Sequence, residues 1–269
     1  MIEQTTEQRA AELVRHIGIV GIVGVTLGLI VGGIGGRVVM RIAGIVAPDH
    51  VQGVATEMGT IGDITVGGTI ELVIFVGLFF GAFGAVAYVI SERWLSWTGP
   101  FRPLAFGLLL LVVGAPDVLD PENLDFLLVG NFELIVVMFV ALFLLYGIPM
   151  PLLVSALEGR LPEVDSARPM GSVAVYLALT GFGGLFVLMI AMFLITELGE
   201  NELAAAFLIF GMGLATALIW LAEFTDLAGK PWQTRLVRLL GYGALIGATA
   251  VGTWQTWTGI SDILAGNFL

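Results

Sequence analysis

The chain has 269 residues, of which 58% are hydrophobic and only 12% charged, with a mean hydropathy of +1.00. A water-soluble domain of this size cannot hide so much apolar surface, so the composition excludes a soluble enzyme or sensor and points to an integral membrane protein. The formal net charge is −11, and the absence of cysteine excludes disulfides, thiolate metal sites and cysteine nucleophiles.

A helix needs about 20 apolar residues to cross the hydrocarbon of a bilayer. Seven apolar runs are present: Ile17 to Gly36, Thr69 to Ile90, Leu104 to Pro116, Phe132 to Ala156, Gly171 to Thr196, Leu203 to Phe224 and Val237 to Trp257. Before the first run, Glu3, Glu7 and Glu12 mix with Arg9 and Arg15, unlike the basic start of a cleavable signal. That run is therefore expected to stay in place as an anchor. It carries Gly24, Gly28, Gly32 and Gly36 at four-residue spacing, a stripe that lets a second helix approach to backbone contact. The second run repeats the pattern with Gly77 and Gly81, the seventh with Gly243 and Gly247. Such stripes serve packing inside one bundle or a helix dimer between subunits, and they place the first run at the centre of the bundle.

The segment from Pro48 to Gly68 has short alternation, as in Ile61-Gly62-Asp63-Ile64-Thr65-Val66, and reads as an ordered loop with a small hairpin. The third run is the irregular one. Its thirteen residues reach about 20 Å, short of the roughly 30 Å hydrocarbon core. Basic residues decide whether it crosses. With seven crossings and the N-terminus inside, the inner segments carry Arg9, Arg15, Arg93, Arg102, Arg160, Arg168, Lys230, Arg235 and Arg238, and the outer segments carry only Arg37 and Arg41. Without the third crossing most of these bases would lie outside, against the positive-inside rule. The expectation is an all-α, polytopic transmembrane bundle of seven spans, a single domain over 1–269, N-terminus inside and C-terminus outside. Its outer loops are 48–68, 117–131 and 197–202, and its inner loops 91–103, 157–170 and 225–236.

Sorting the acids by this topology makes the inner side neutral. The outer side holds Asp49, Glu57, Asp63, Glu71, Asp117, Asp120, Glu122, Asp125, Glu133, Glu197, Glu200, Glu202 and Asp262, so the whole −11 lies on one face. Such a face concentrates cations or docks a basic partner. It also arises by default where bases are selected against beside translocated segments.

Two outer features carry candidate chemistry. Asp117, Asp120, Glu122, Asn123 and Asp125 follow the third run closely and offer oxygen ligands for a hard cation, a metal site whose identity the residues leave open. The same stretch, Asp120-Pro121-Glu122-Asn123, also suits a type I turn. Arg37 and Arg41, four apart, share a helix face if the first helix continues past them. A charge near hydrocarbon is expensive unless paired, and Glu71 and Glu133 open the second and fourth runs at the same expected depth. An arginine pair stitched to those carboxylates is expected; an anion or lipid-headgroup site is the other reading.

The middles of the runs hold no Asp, Glu, Lys, Arg or His, only mild hydroxyls such as Thr26, Thr180, Thr216 and Thr249. Proton-coupled transport is thereby disfavoured. His16 and His50 lie outside the runs, which leaves no pair of axial haem ligands across a bundle, and the sole lysine, Lys230, sits in a loop, where no retinal would attach. No catalytic residues, no cofactor and no nucleic-acid surface are expected.

The stretches Gly36-Arg37-Val38-Val39-Met40-Arg41, Val66-Gly67-Gly68-Thr69 and Leu119-Asp120-Pro121-Glu122-Asn123-Leu124-Asp125-Phe126 resemble motifs in an uncharacterised group of multi-pass prokaryotic integral membrane proteins. The resemblance covers roughly residues 1–160 and implies no activity. It does imply that Arg37, Arg41, Asp120, Asn123 and Asp125 meet in space. The sequence-level expectation is a non-enzymatic subunit or scaffold of the cytoplasmic membrane. Its partners would be membrane lipid, other membrane subunits or a second copy. The alternative is a passive channel or carrier for cations or a small polar solute.

Overall fold

The structure is a computed structural model that describes residues 5–49, 55–56, 59–60, 66–121, 131–164, 173–174, 176–177, 203–224 and 231–266. Six of its helices are long and apolar enough to cross a membrane: α1 Thr6–Val46, α2 Val66–Ser91, α3 Ser96–Val118, α4 Phe132–Glu158, α5 Leu203–Ala222 and α6, which runs from Pro231 to Ala265. Among the described residues the architecture is all-helical apart from one two-residue ladder, β1 Ala55–Thr56 against β2 Gly59–Thr60, antiparallel with Ala55 opposite Thr60. It lies within the segment from Pro48 to Gly68, whereas residues 61–65 of the alternating stretch fall outside the described residues. Most of the fifth apolar run, Gly171 to Thr196, and the loop 197–202 fall outside the described residues.

Local signals explain the helix ends. The Thr5 side chain accepts from the Gln8 backbone N–H, and the Gln8 side chain accepts in return from Thr5, so two otherwise unpaired donors at the start of α1 are satisfied. At 41 residues α1 is about 60 Å long, roughly twice the hydrocarbon thickness. Only the run beginning at Ile17 belongs in hydrocarbon; the turns with Glu7, Arg9, Glu12 and Arg15 precede it. The short third run is likewise part of a longer helix. A 3-10 segment, Ser96–Phe101, kinked within at Gly99 (φ 55°), leads into Arg102–Val118, for 23 residues in all. Counting only uninterrupted apolar residues stopped at Arg102 and Pro116 and undercounted it.

Glycine seams fix the registers. A methyl group added at Gly24 would meet the Ala85 side chain and the Gly81 carbonyl at 2.7 and 2.8 Å, and one at Gly28 would collide with the Gly77 carbonyl and the Gly81 Cα. The pairs 24/81 and 28/77 make α1 and α2 antiparallel at near-backbone contact, as the stripes foresaw. The stripe then changes rows. Gly32 and Gly36 leave room for ordinary contacts, and Gly33, where an added methyl would stand 2.8 Å from the Val73 Cα, continues the seam. The physical reason is a π-helical stretch, Gly28–Gly35, whose wider turn shifts the packed row from every fourth residue to the fifth. In α6 the expected pair is met in part: Gly247 packs on the Phe207 ring and Gly243 meets nothing, while Gly252 packs on the Val112 carbonyl and Gly259 on that of Leu119. Pro116, four residues after Val112, has no N–H to bond that carbonyl, so the freed oxygen faces the incoming glycine backbone.

Gly107 against Gly147 and Gly114 against Phe143 run α3 and α4 antiparallel. Gly252 against Val112 and Gly259 against Leu119 run α6 parallel to α3, and Gly211 against Ala244 and Gly247 against Phe207 run α5 antiparallel to α6. The bundle thus has a near end, where α1, α3 and α6 begin and α2, α4 and α5 finish, and a far end opposite.

Candidate functional site

The near end holds a polar network built from four helices. His16, one residue before the first apolar run, has its Nδ1 at 2.6 Å from Glu158 Oε1 and its Nε2 at 2.6 Å from Glu92 Oε1. An ionised carboxylate only accepts, so both ring nitrogens can bond at once only if both carry protons, which makes the ring an imidazolium. Burial works against that charge, but the hydrogen bonds and charges of Glu92 and then Glu158 outweigh it and raise the His16 pKa from 6.5 to about 9. The other oxygen of Glu92 accepts from Arg102 Nη2 at 3.0 Å, and the same nitrogen donates to the Tyr88 hydroxyl at 2.7 Å. The Arg102 guanidinium also stands 5.3 Å from the centre of the buried Tyr88 ring.

Arg15 completes the network from the next position on α1. It donates to the backbone oxygens of Glu158, Leu161 and Pro162 at 2.8, 2.9 and 2.8 Å. These carbonyls lie at and just beyond the end of α4, where a cation satisfies free acceptors and matches the helix dipole. Beside the network, the Trp94 indole donates to Thr216 at 3.4 Å and Thr216 donates to the Ile90 carbonyl at 3.1 Å, tying α2 to α5. Trp94 also covers Gly241 and meets Tyr242 edge to face at 5.3 Å. Deeper in, the Tyr146 hydroxyl lies 3.0 and 3.3 Å from the Gly81 and Gly24 carbonyls and shares its proton between them at the α1–α2 seam.

The sequence had supplied a signal for this network. His16 stands one residue from a run end, and Glu92, Arg102 and Glu158 two each, all on the same predicted side. Four such groups share one depth and have every electrostatic reason to meet.

At the far end the structure places Arg37 and Arg41 one turn apart on α1, Arg37 half-buried and Arg41 exposed. The expected pairing with Glu71 and Glu133 is not made. Among the described residues the ion pairs join His16 to Glu92 and Glu158, and Arg102 to Glu92, while the Arg37 Nε is buried without a hydrogen-bond partner. Glu71 and Glu133 are both exposed. Asp117 belongs to the last turn of α3, not to a loop, and Asp120 follows it. Glu122, Asn123 and Asp125 lie outside the described residues, so a convergence of the acidic loop with the arginines does too. Among the described residues no group of three or more histidines or carboxylates is arranged to hold a metal ion.

Compared with known proteins, the chain matches no family model, no curated protein and no solved structure. The class defined by the fold is that of a helical, membrane-spanning protein, and its described polar chemistry is concentrated at one end of the bundle.

Proposed function

We propose that this protein is a non-enzymatic, seven-span protein of the cytoplasmic membrane, N-terminus inside and C-terminus outside, acting as a subunit or scaffold for other membrane proteins or for a second copy of itself. The observation that carries this reading is the glycine-packed interior of the described helices. Among the described residues, Thr26 and Thr249 are exposed and bond to the carbonyls of their own helices, those of Ile22 and Leu245, instead of lining a path. Thr216 is buried but committed to Trp94 and Ile90, and the buried Tyr146 hydroxyl is committed to the Gly81 and Gly24 carbonyls. A conduit for ions or polar solutes needs polar groups in file through the core; among the described residues these hydroxyls are each committed to one or two local partners and form no such file. Among the six candidate spans α6 is the least covered, with 22% of its most apolar window buried against 44% for α1, and it presents Leu239, Ile246, Trp254 and Trp257 outward. Among the described spans that face is the one least covered by the bundle and open to a neighbouring transmembrane helix.

Helix directions support seven crossings. Glu158, in the near-end network, closes α4, whereas Leu203 opens α5 at the far end, so the chain between them passes from one end to the other. Thr6 and Ala265 accordingly stand at opposite ends, as an odd number of crossings requires. Arg9, Arg15, Arg93, Arg102, Arg160, Arg235 and Arg238 at the near end, against Arg37 and Arg41 at the far end, support the near end as cytoplasmic.

Extraction in mild detergent followed by mass determination tests the scaffold role. The expected particle exceeds the 28.5 kDa chain and contains a second copy or another membrane polypeptide. A monodisperse lone monomer overturns it. Orientation is tested on the cysteine-free background with single cysteines at Ser96 and Asp49 and an impermeant thiol reagent: Asp49→Cys should label from outside intact cells and Ser96→Cys only from within.

A further inference from the structure

The two far-end arginines lack the compensating anion that their position demands. Neither forms an ion pair among the described residues, although the charged groups nearest that end of the bundle are otherwise acids: Asp49, Glu71, Asp117, Asp120, Glu133 and Asp262. The buried, unpartnered Nε of Arg37 shows its stem laid against the bundle where no protein oxygen meets it. Any counter-charge has to come from outside the described chain.

Position and face say what supplies it. The apolar run from Ile17 to Gly36 spans about 30 Å, matching the hydrocarbon core. Arg37 follows at its edge and Arg41 about 6 Å further along, inside the headgroup layer of roughly 5 to 7 Å that flanks the core. Ile30, Ile34, Val38 and Ile45 are all exposed and, with the exposed Arg41, form a single outward stripe at helical spacing. Its apolar members face acyl chains, so Arg41 faces the headgroups of the same lipids, and Arg37, four residues earlier, lies beside it. A guanidinium binds a phosphate diester through a planar fork of N–H donors.

We propose that Arg37 and Arg41 form a binding site for the phosphate of a membrane phospholipid in the far leaflet, with the acyl chains lying along Ile30, Ile34 and Val38. This rests on the membrane-spanning reading but not on the scaffold role. A lone monomer would end the scaffold proposal and leave this site standing.

The test uses the full chain, delipidated in a neutral detergent, and follows its melting temperature on adding either phosphatidylglycerol or sodium phosphate. The lipid should raise the melting temperature by several degrees, and Arg41→Gln and Arg37→Gln/Arg41→Gln should lose at least half of that rise while melting like the parent without lipid. Arg37→Lys/Arg41→Lys, which keeps the charges but not the fork, should keep part of it. Should a variant fold poorly, native mass spectrometry of Arg41→Gln, whose changed side chain is exposed, reads retained lipid directly; fewer lipids than in the parent are expected. An equal rise or equal lipid retention in the variants overturns the site. A rise reproduced by sodium phosphate alone assigns the anion to solution and overturns the lipid.

Discussion

The two ends of the bundle hold charge in opposite ways. At the near end, His16, Glu92, Arg102, Glu158 and Arg15 are interlocked through hydrogen bonds of 2.6 to 3.0 Å, and each carboxylate serves more than one partner or accompanies a capped helix end. At the far end, Arg37 and Arg41 stand among acids without pairing to any described one. Charges that are satisfied by the protein hold helices together. Charges left unsatisfied at a membrane boundary are available to something else. If this contrast is right, substitutions at the near end should cost stability and those at the far end should not.

The largest loss is expected for Glu92→Ala. It removes the acceptor shared by His16 and Arg102, which join α1 to the start of α3, and leaves both cations in a largely apolar setting. Breaking a fully buried pair from one side costs about 3 to 5 kcal/mol; with roughly a fifth of the Glu92 side chain exposed, solvent trims the expectation to about 2 to 3 kcal/mol. Thermal or denaturant unfolding in detergent measures it. A Glu92→Ala protein as stable as the parent would break the comparison at its strongest point.

His16→Gln comes next, at about 1.5 kcal/mol, because an amide can donate to one carboxylate but not to both. It also exposes a pH signature with a definite sign. The pKa of His16 is raised from 6.5 to about 9 by its two carboxylates, so its contribution is fully present below 6.5 and is lost as pH rises through about 9. The parent should melt at progressively lower temperature between those values, and His16→Gln should show a flatter profile there. Parallel profiles would mean that the ring does not carry the charge.

How much of this was legible in the sequence depends on which coordinate the sequence encodes. Hydropathy encodes depth, so six of the seven apolar runs and the α1–α2 seam through Gly24, Gly28, Gly77 and Gly81 were readable. The length of α3 was not, because Ser96–Phe101 recruits a polar, proline-containing turn that adds helix without adding hydropathy. The step from Gly32 to Gly33 was hidden by a π-turn that no residue type announces. Pairing Arg37 with Glu71 matched two residues in depth, but depth says nothing of azimuth around a helix, and Glu71 is exposed. The near-end network was readable in principle, since its members all border run ends. It was passed over because charged flanks usually face water.

Arg15→Gln should have a smaller effect, about 1 kcal/mol. Its guanidinium donates to three carbonyls at the end of α4, but the bonds lie partly in solvent and the network of His16 and Glu158 still holds α4 against α1. Local rather than global loosening is the expected result. Hydrogen exchange should accelerate for amides near Glu158 to Pro162 and not for those around Tyr146. Uniform acceleration would show that the cap carries the whole bundle.

The smallest effect is expected for Arg37→Gln in the absence of lipid, within about 0.5 kcal/mol of the parent, as for a substitution that removes no partner. The glutamine keeps the polar end and much of the stem that lies against the bundle, and it removes a charge that no described carboxylate balances. The near end provides the control: Arg102→Gln, the same chemical change, severs contacts to Glu92 and Tyr88 and should lower the melting temperature clearly. If both arginines prove equally costly to replace, Arg37 has a partner in the protein after all and the two ends hold charge in the same way. If only Arg102 matters, one residue type serves two purposes in one bundle, structural where an acid meets it and open to an external anion where none does.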